Sequence, residues 1–171
     1  MDSIKRLIRD IPDFPKPGII FKDITPVLGD PSAMARITGA FEREFEAAQP
    51  TRIVGIESRG FIFGAVLAAA LELPFTPIRK PGKLPYDKIS VSYTLEYGEG
   101  TLEMHTDGVT ADDRVIIIDD LLATGGTAAA ACELVERVGA QIAGVGFVVE
   151  LEFLYGREKL DGQNVLSLVS Y

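Results

Sequence analysis

"VIIIDDLLATGGT" (residues 115–127) is the stretch that decides how this chain folds. Val115, Ile116, Ile117 and Ile118 follow one another without a polar residue, which predicts a strand buried on both faces, as strands of parallel sheets are. Two acids, Asp119 and Asp120, come next, then a glycine turn, then the Ala-rich "TAAAACELVERV" (127–138), which reads as a helix from about 126 to 138. Strand, glycine turn and helix together form an anion site at the carboxyl edge of an open α/β sheet. Gly125 and Gly126 let the backbone approach a ligand closely. The first amides of the helix have no helical partner and lie at the positive end of its dipole. With the hydroxyls of Thr124 and Thr127 added, residues Ala123, Thr124, Gly125, Gly126 and Thr127 are expected to hold a phosphate without any cationic side chain.

The same rhythm recurs outward from this stretch. "RIVGI" (52–56), "FTPIR" (75–79) and "QIAGVGFVVEL" (141–151) are further apolar runs, with "FIFGAVLAAALEL" (61–73) reading as a helix between the first two. Buried strands alternating with helices predict a doubly wound parallel sheet, α/β in class. Towards the N-terminus, Ile4, Leu7, Ile8 and Ile11 fall at helical spacing and Pro12 ends the run. "GIIF" (18–21) reads as a short strand, "KDITPVLGDP" (22–31) as loop, and residues 32–48 as a helix with Met34, Ile37, Ala40, Phe41 and Phe45 on one face. The segment from Lys80 to Asp113 breaks the rhythm. "SVSYTLEY" (90–97) and "TLEMH" (101–105) alternate as an antiparallel hairpin does, and "RKPGKLPYDK" (79–88) before them suits a mobile lid. The chain of 171 residues is expected to be one domain, 1–171, with a small hood from residues 1–30 and the C-terminal segment, and a lid loop and hairpin at about 80–106.

Composition narrows the partners. Lys and Arg total 17 against 25 Asp and Glu, a net charge of −8. Nucleic-acid backbone is therefore not an expected partner, because no excess of cations is present to replace counterions. An anionic ligand must be held by local donors in a small, deep site. Cys132 is the only cysteine, so no disulfide within the chain is expected, and it reads as a small buried hydrophobe. His105, the only histidine, falls on the outward alternation of its strand and is not expected to bind metal. "MDSIKRLIRDIP" (1–12) has charges scattered through it and is not read as a signal peptide. The apolar run at 61–71 is shorter than the roughly 20 residues that cross a bilayer. A soluble, cytoplasmic protein without membrane contact is expected.

Two familiar phosphate motifs fail on spacing. No Lys follows either glycine, as a P-loop requires, and the glycines are adjacent with the acids upstream, unlike a dinucleotide fingerprint. The two acids make sense if the ligand carries hydroxyls as well as phosphate. A ribose 5-phosphate does: its phosphate would sit on the amides of 123–127 and its 2- and 3-hydroxyls would face Asp119 and Asp120. Carboxylates also attract Mg²⁺, which keeps waters and substrate phosphates in its shell.

These residues resemble the 5-phosphoribosyl-1-pyrophosphate motif of the type I phosphoribosyltransferases, and "DDLLATGGT" (119–127) resembles the adenine-using branch of that family. "IPDFPKPGIIFKDITPVL" (11–28), "GIESRGFIFG" (55–64), "IRKPGKLPY" (78–86), "SYTLEYG" (92–98) and "GREKL" (156–160) extend the likeness over essentially the whole chain. The resemblance implies a reaction in which adenine and phosphoribosyl pyrophosphate give AMP and pyrophosphate with Mg²⁺ as cofactor, a pentosyl transfer in purine salvage. It also implies roles. Arg59 and Gly60 would grip pyrophosphate, Lys83 would bring positive charge from the lid, and Arg79 is a candidate to cross into a neighbouring subunit of a homodimer. Glu96 would act as general acid or base near N7 or N9 of the base. Ile20, Phe21, Lys22 and Leu151 would form the adenine slot. A homologous enzyme for hypoxanthine-guanine, xanthine or orotate is the nearer alternative. A non-catalytic sensor that binds nucleic acid is disfavoured by the net charge of −8.

Overall fold

The computed structural model describes residues 1–94 and 99–171. Its elements run α1 (Asp2–Lys5), β1 (Arg9–Pro12), β2 (Ile20–Asp23), α2 (Thr25–Leu28), α3 (Pro31–Phe45), β3 (Arg52–Ile56), α4 (Gly60–Ala70) and β4 (Phe75–Ile78). After these come β5 (Lys88–Thr94), β6 (Glu99–His105), β7 (Arg114–Leu122), α5 (Gly126–Arg137), β8 (Gln141–Glu150) and β9 (Val165–Ser170). Five strands make one parallel sheet in the order β4-β3-β7-β8-β9. Two antiparallel hairpins, β1-β2 and β5-β6, stand beside it.

The unbroken apolar character of β7 follows from its central place. Val115 and Ile117 face one layer, with Ala131, Leu134 and Val135 of α5 and Val91, Leu102 and Met104 of the β5-β6 hairpin. Ile116 and Ile118 face the other, with Ile37, Phe41 and Phe45 of α3 and Phe63 and Leu67 of α4. All four are fully buried, so a polar residue at any of them would sit in one core or the other. The chain leaves β3 for β4 on one side and returns to β7 on the other. The order therefore reverses between β3 and β7, and the loops that leave their carboxyl ends diverge to open a crevice there.

Several local expectations are corrected. The N-terminal helix stops at Lys5, and Ile11 lies in β1 opposite Phe21. Ile4 and Ile8 are buried as helical spacing predicts, but the residues beyond them gain more by pairing with β2 than by a further turn ending at Pro12, which has no donor. Residues 22–31 are not all loop. Asp23 accepts hydrogen bonds from the Thr25 amide (2.9 Å) and hydroxyl (2.6 Å), starting the single turn α2, and Val27 anchors it in the core. The helix over 32–48 is α3 followed by a 3-10 turn at Glu46–Ala48. β9 is an edge strand that the periodicity reading omits; its residues follow no long apolar run, and pairing with β8 is what orders them. Most consequential, β7 continues past the apolar run to Leu122, so both Asp119 and Asp120 belong to the strand.

The two ends of the chain meet. The Lys5 ammonium donates to the Ser170 carbonyl (2.5 Å), and Lys22 of β2 lies over the Tyr171 ring at 3.8 Å. Among the described residues no helix is long and apolar enough to cross a membrane.

Candidate active site

A cavity of about 710 Å³ opens at the carboxyl ends of β3 and β7. Residues 57–59 form one wall, residues 119–128 its floor and far wall, and Lys80, Pro81, Tyr93 and residues 99–102 its rim. Asp119, Asp120 and every residue from Ala123 to Thr127 thus line one space with Arg59.

The floor is built by close approach of backbones. A Cβ on Gly60 would lie 2.7 Å from Asp119 Oδ1 and 2.8 Å from the Ile118 carbonyl oxygen, so α4 can begin directly against β7 only with glycine there. Gly125 has φ +77°, the left-handed region that favours glycine, and turns the chain from β7 into α5. The amide of Ala129 bonds the Gly125 carbonyl at 2.9 Å as the helix starts, leaving the preceding amides without helical acceptors.

The two acids are buried and share a field. The Asp120 amide donates to Asp119 Oδ1 at 2.9 Å. Burial first, and then the Asp120 charge, push the Asp119 carboxyl well above the usual range. Burial likewise raises Asp120, against the opposing pull of Arg59. Arg59 Nη2 stands 2.8 Å from Asp120 Oδ2 as an ion pair without hydrogen-bond geometry, so that buried oxygen has no hydrogen bond from any described residue. The Arg59 charge is thus the partner of that oxygen, which is itself closed off from solvent. Among the described residues no cluster of three or more His, Cys, Asp or Glu could hold a metal by itself.

Sequence reading missed Glu57. Its buried carboxylate accepts from Arg79 Nε (3.2 Å) and the Lys80 amide (3.1 Å) and pairs with the Lys83 ammonium. Burial opposes its charge, but these donors together hold its pKa below the usual value. Glu57 thereby ties residues 79–83 to the loop after β3, where the Glu57–Ser58 peptide is cis. Its position directly after an unbroken apolar run of sequence, as Asp119 follows 115–118, is the signal that could have found it. Tyr93 was also missed. The Thr127 hydroxyl donates to its phenol oxygen at 3.2 Å, and a Cβ on Gly126 would lie 3.2 Å from its ring.

The remaining expected residues lie around the cavity rather than on its walls. Phe21 is reached through Arg59, whose guanidinium lies 5.2 Å from the ring centroid. The Leu151 amide bonds the Leu122 carbonyl (2.9 Å), and Leu122 lines the cavity. Ile20 is 56% exposed, and the Lys22 side chain turns away to Asp10 at 2.7 Å. Lys83 and Arg79 are engaged by Glu57. Glu96 lies outside the described residues. Cys132 is buried, and burial followed by the Glu136 charge pushes its thiol up to about 12, which makes it inert. His105 sits beside Tyr86, their ring centroids 6.1 Å apart.

A glycine turn at a helix start and paired acids thus stand at the switch point of a doubly wound parallel sheet, where open α/β proteins bind their ligands. Residues 27–162 match the phosphoribosyl transferase domain, and the chain belongs to that family. Within it, the chain is similar to the adenine phosphoribosyltransferases. It is 54% identical over 171 residues to the one from Nitrosococcus oceani, which covers 100% of both chains. The crystal structure of the Thermoanaerobacter pseudethanolicus adenine phosphoribosyltransferase superposes with a TM-score of 0.96 at 49% identity over 99% of each chain. The Saccharomyces cerevisiae adenine phosphoribosyltransferase, solved with an imino-altritol bisphosphate and adenine, superposes with a TM-score of 0.93 at 42% identity, covering 98% of this chain and 97% of that one.

Proposed function

We propose that this protein transfers the 5-phosphoribosyl group of phosphoribosyl pyrophosphate to N9 of adenine, giving AMP and pyrophosphate in purine salvage in the cytoplasm. The observation that carries the reading is the arrangement of Asp119 and Asp120 on the same cavity floor as the 123–127 cradle, with Arg59 facing Asp120 at 2.8 Å. The 5-phosphate takes the outward amides and the Thr124 and Thr127 hydroxyls. The ribose hydroxyls donate to the two carboxylates, both of which line the cavity.

The N9 lone pair forms the bond to ribose C1 as the bond from C1 to the pyrophosphate oxygen breaks, and the proton on N9 leaves to a base, the role assigned to Glu96. Positive charge developing on the ribose ring is offset by carboxylates held beneath it. Arg59 and the amides near Gly60 take the leaving pyrophosphate, and Lys83 joins them by giving up Glu57. Mg²⁺ would be held mainly by substrate oxygens, with Asp119 and Asp120 nearby, and would neutralise charge on the pyrophosphate. The lid over 79–88 excludes water from C1.

For the base, the S. cerevisiae enzyme solved with adenine is the supporting relative. Backbone groups of Ile20, Phe21 and Lys22 read its edge, and Phe21 and Leu151 flank its faces. A site whose backbone donors and acceptors match a 6-amino purine leaves them unpaired against a 6-oxo purine.

A homodimer is part of the reading. The outer face of α4 carries Ile62, Ala65, Val66 and Ala69, with Ile62 39% and Val66 40% exposed, and a second copy would cover it. Arg79 is bound to Glu57 of its own chain, so a role across the interface requires it to leave that partner.

The test is incubation with phosphoribosyl pyrophosphate, Mg²⁺ and each purine or pyrimidine base in turn. AMP from adenine, with no nucleotide from the others, is expected. Reaction with another base and none with adenine would overturn the assignment of the base.

A further inference from the structure

The segment "GREKL" (156–160) has no part in the chemistry above, yet its first residue touches the phosphate cradle. A Cβ on Gly156 would overlap the Ala123 carbonyl oxygen and lie 2.8 Å from the Gly125 nitrogen. A Cβ on Gly125 would in turn overlap the Gly156 carbonyl oxygen and lie 3.1 Å from its Cα. The two backbones interlock where neither can carry a side chain.

The segment is clamped from behind. Arg157 donates to both oxygens of Glu150, Nη2 to Oε2 at 2.6 Å and Nε to Oε1 at 3.1 Å. It also donates to the Val165 carbonyl at 3.0 Å and the Ser167 hydroxyl at 3.2 Å, so it spans β8 and β9. Glu150 is a buried carboxylate at the last position of β8, and a bidentate pair of this kind fixes direction as well as distance. Leu160 closes the segment into the core beside α5.

We propose that Gly156, held by the Arg157–Glu150 clamp, is a positioning residue for the 5-phosphate cradle. It sets where the backbone of 123–125 stands, and hence where the amides that follow are aimed. The proposal rests on the reading that residues 123–127 take a phosphate monoester, and it adds that the cradle is shaped from outside by a segment that begins 29 residues after Thr127. A side chain at 156 must push the Ala123 carbonyl aside. Amides displaced by a fraction of an ångström lose the alignment on which phosphate binding depends.

The test uses Gly156→Ala and Arg157→Gln in the full chain, with ribose 5-phosphate binding by calorimetry, Michaelis constants for both substrates, and thermal melts. Gly156→Ala is expected to weaken ribose 5-phosphate binding and raise the KM for phosphoribosyl pyrophosphate by about tenfold or more, with the adenine KM within about twofold of wild type. Arg157→Gln, which adds no atom near the cradle, should shift the same two quantities in the same direction by less, and Arg157→Lys should recover part of the loss. A folded Gly156→Ala chain with wild-type ribose 5-phosphate affinity would overturn the proposal. So would equal rises in both Michaelis constants, which a general loss of structure produces. If Gly156→Ala does not fold, unchanged ribose 5-phosphate affinity in Arg157→Gln overturns it. Ribose 5-phosphate binding needs neither adenine nor turnover. A chain that made no AMP but lost this binding in Gly156→Ala would still support the proposal, while the reading of the reaction would fail.

Discussion

Arg59 of the loop after β3 faces Asp120 of β7 at 2.8 Å, spanning the crevice where the strand order reverses. One side chain thus joins the wall assigned to pyrophosphate to the floor assigned to ribose. An anionic leaving group at Arg59 competes with Asp120 for the same guanidinium, so binding at one wall changes the field at the other.

Replacing Asp119 and Asp120 by Asn together is expected to lower turnover by about 10²-fold or more while leaving a cooperative melt, because charge beneath the ribose is removed and the shape is kept. Both carboxyls are raised above the usual range, first by burial. Their folded-state pKa values lie above the unfolded ones. Stability is therefore fully present below the ordinary carboxylate pKa and is lost as pH rises through the folded values. Asp119→Asn should accordingly melt higher than wild type at pH 8, with the gain vanishing towards pH 3. Each kcal/mol gained is worth about 2–4 °C in a domain of this size. Wild-type turnover in the double variant, or a melting gain larger in acid, would contradict this account.

Tyr93 and Thr127 share a hydrogen bond of 3.2 Å in which the threonine hydroxyl donates to the phenol. Tyr93→Phe keeps the ring against Gly126 and releases that hydroxyl for the ligand. Ribose 5-phosphate binding should tighten by roughly two- to tenfold, the worth of one neutral hydrogen bond. Calorimetric titration checks it, and weaker binding would mean that the phenol supports the cradle instead of competing with it.

Asp113 provides a control at the opposite edge of the sheet. Burial works against its charge. The Thr110 amide (2.8 Å), the Thr51 hydroxyl (2.9 Å) and Arg52 (3.0 Å) nonetheless hold its pKa below the usual value. A depressed folded-state pKa contributes stability above the unfolded pKa and loses it as pH falls through the folded one. Asp113→Asn should cost about 1–3 kcal/mol in denaturant titration near neutral pH. That penalty should shrink in acid, and both Michaelis constants should stay at their wild-type values. A changed KM for phosphoribosyl pyrophosphate would show that the two edges are coupled.

Glu96→Gln is expected to lower turnover by about 10²-fold with little change in either Michaelis constant, since general acid–base catalysis acts in the transition state. Steady-state kinetics decide it. Near-normal turnover would remove Glu96 from the mechanism and leave the proton on N9 to another base.

The fold was legible where one physical demand governs a run of residues. Four consecutive β-branched residues at 115–118 can only serve a strand covered on both faces, and both cores are there. The glycine turn that leads into α5 was legible because adjacent glycines between an apolar run and an Ala-rich run mark a helix entry. β9 was not, since an edge strand needs only half an apolar pattern and its order comes from β8. Ile11 was misassigned because helical spacing and a short strand make the same demand over so few residues.

By itself, then, the sequence determined the α/β class and the glycine turn that follows two acids at the end of a buried run, because backbone sterics and burial act on neighbours along the chain. Tertiary structure alone decided that Asp120 meets Arg59, that Glu57 holds Arg79 and Lys83, and that the Gly156 backbone lies against Ala123 and Gly125. Those relations join residues distant in sequence, whose meeting depends on strand order and on which backbones pass within contact. No local pattern encodes such distances; only the closed packing of the sheet, its helices and its loops brings them about.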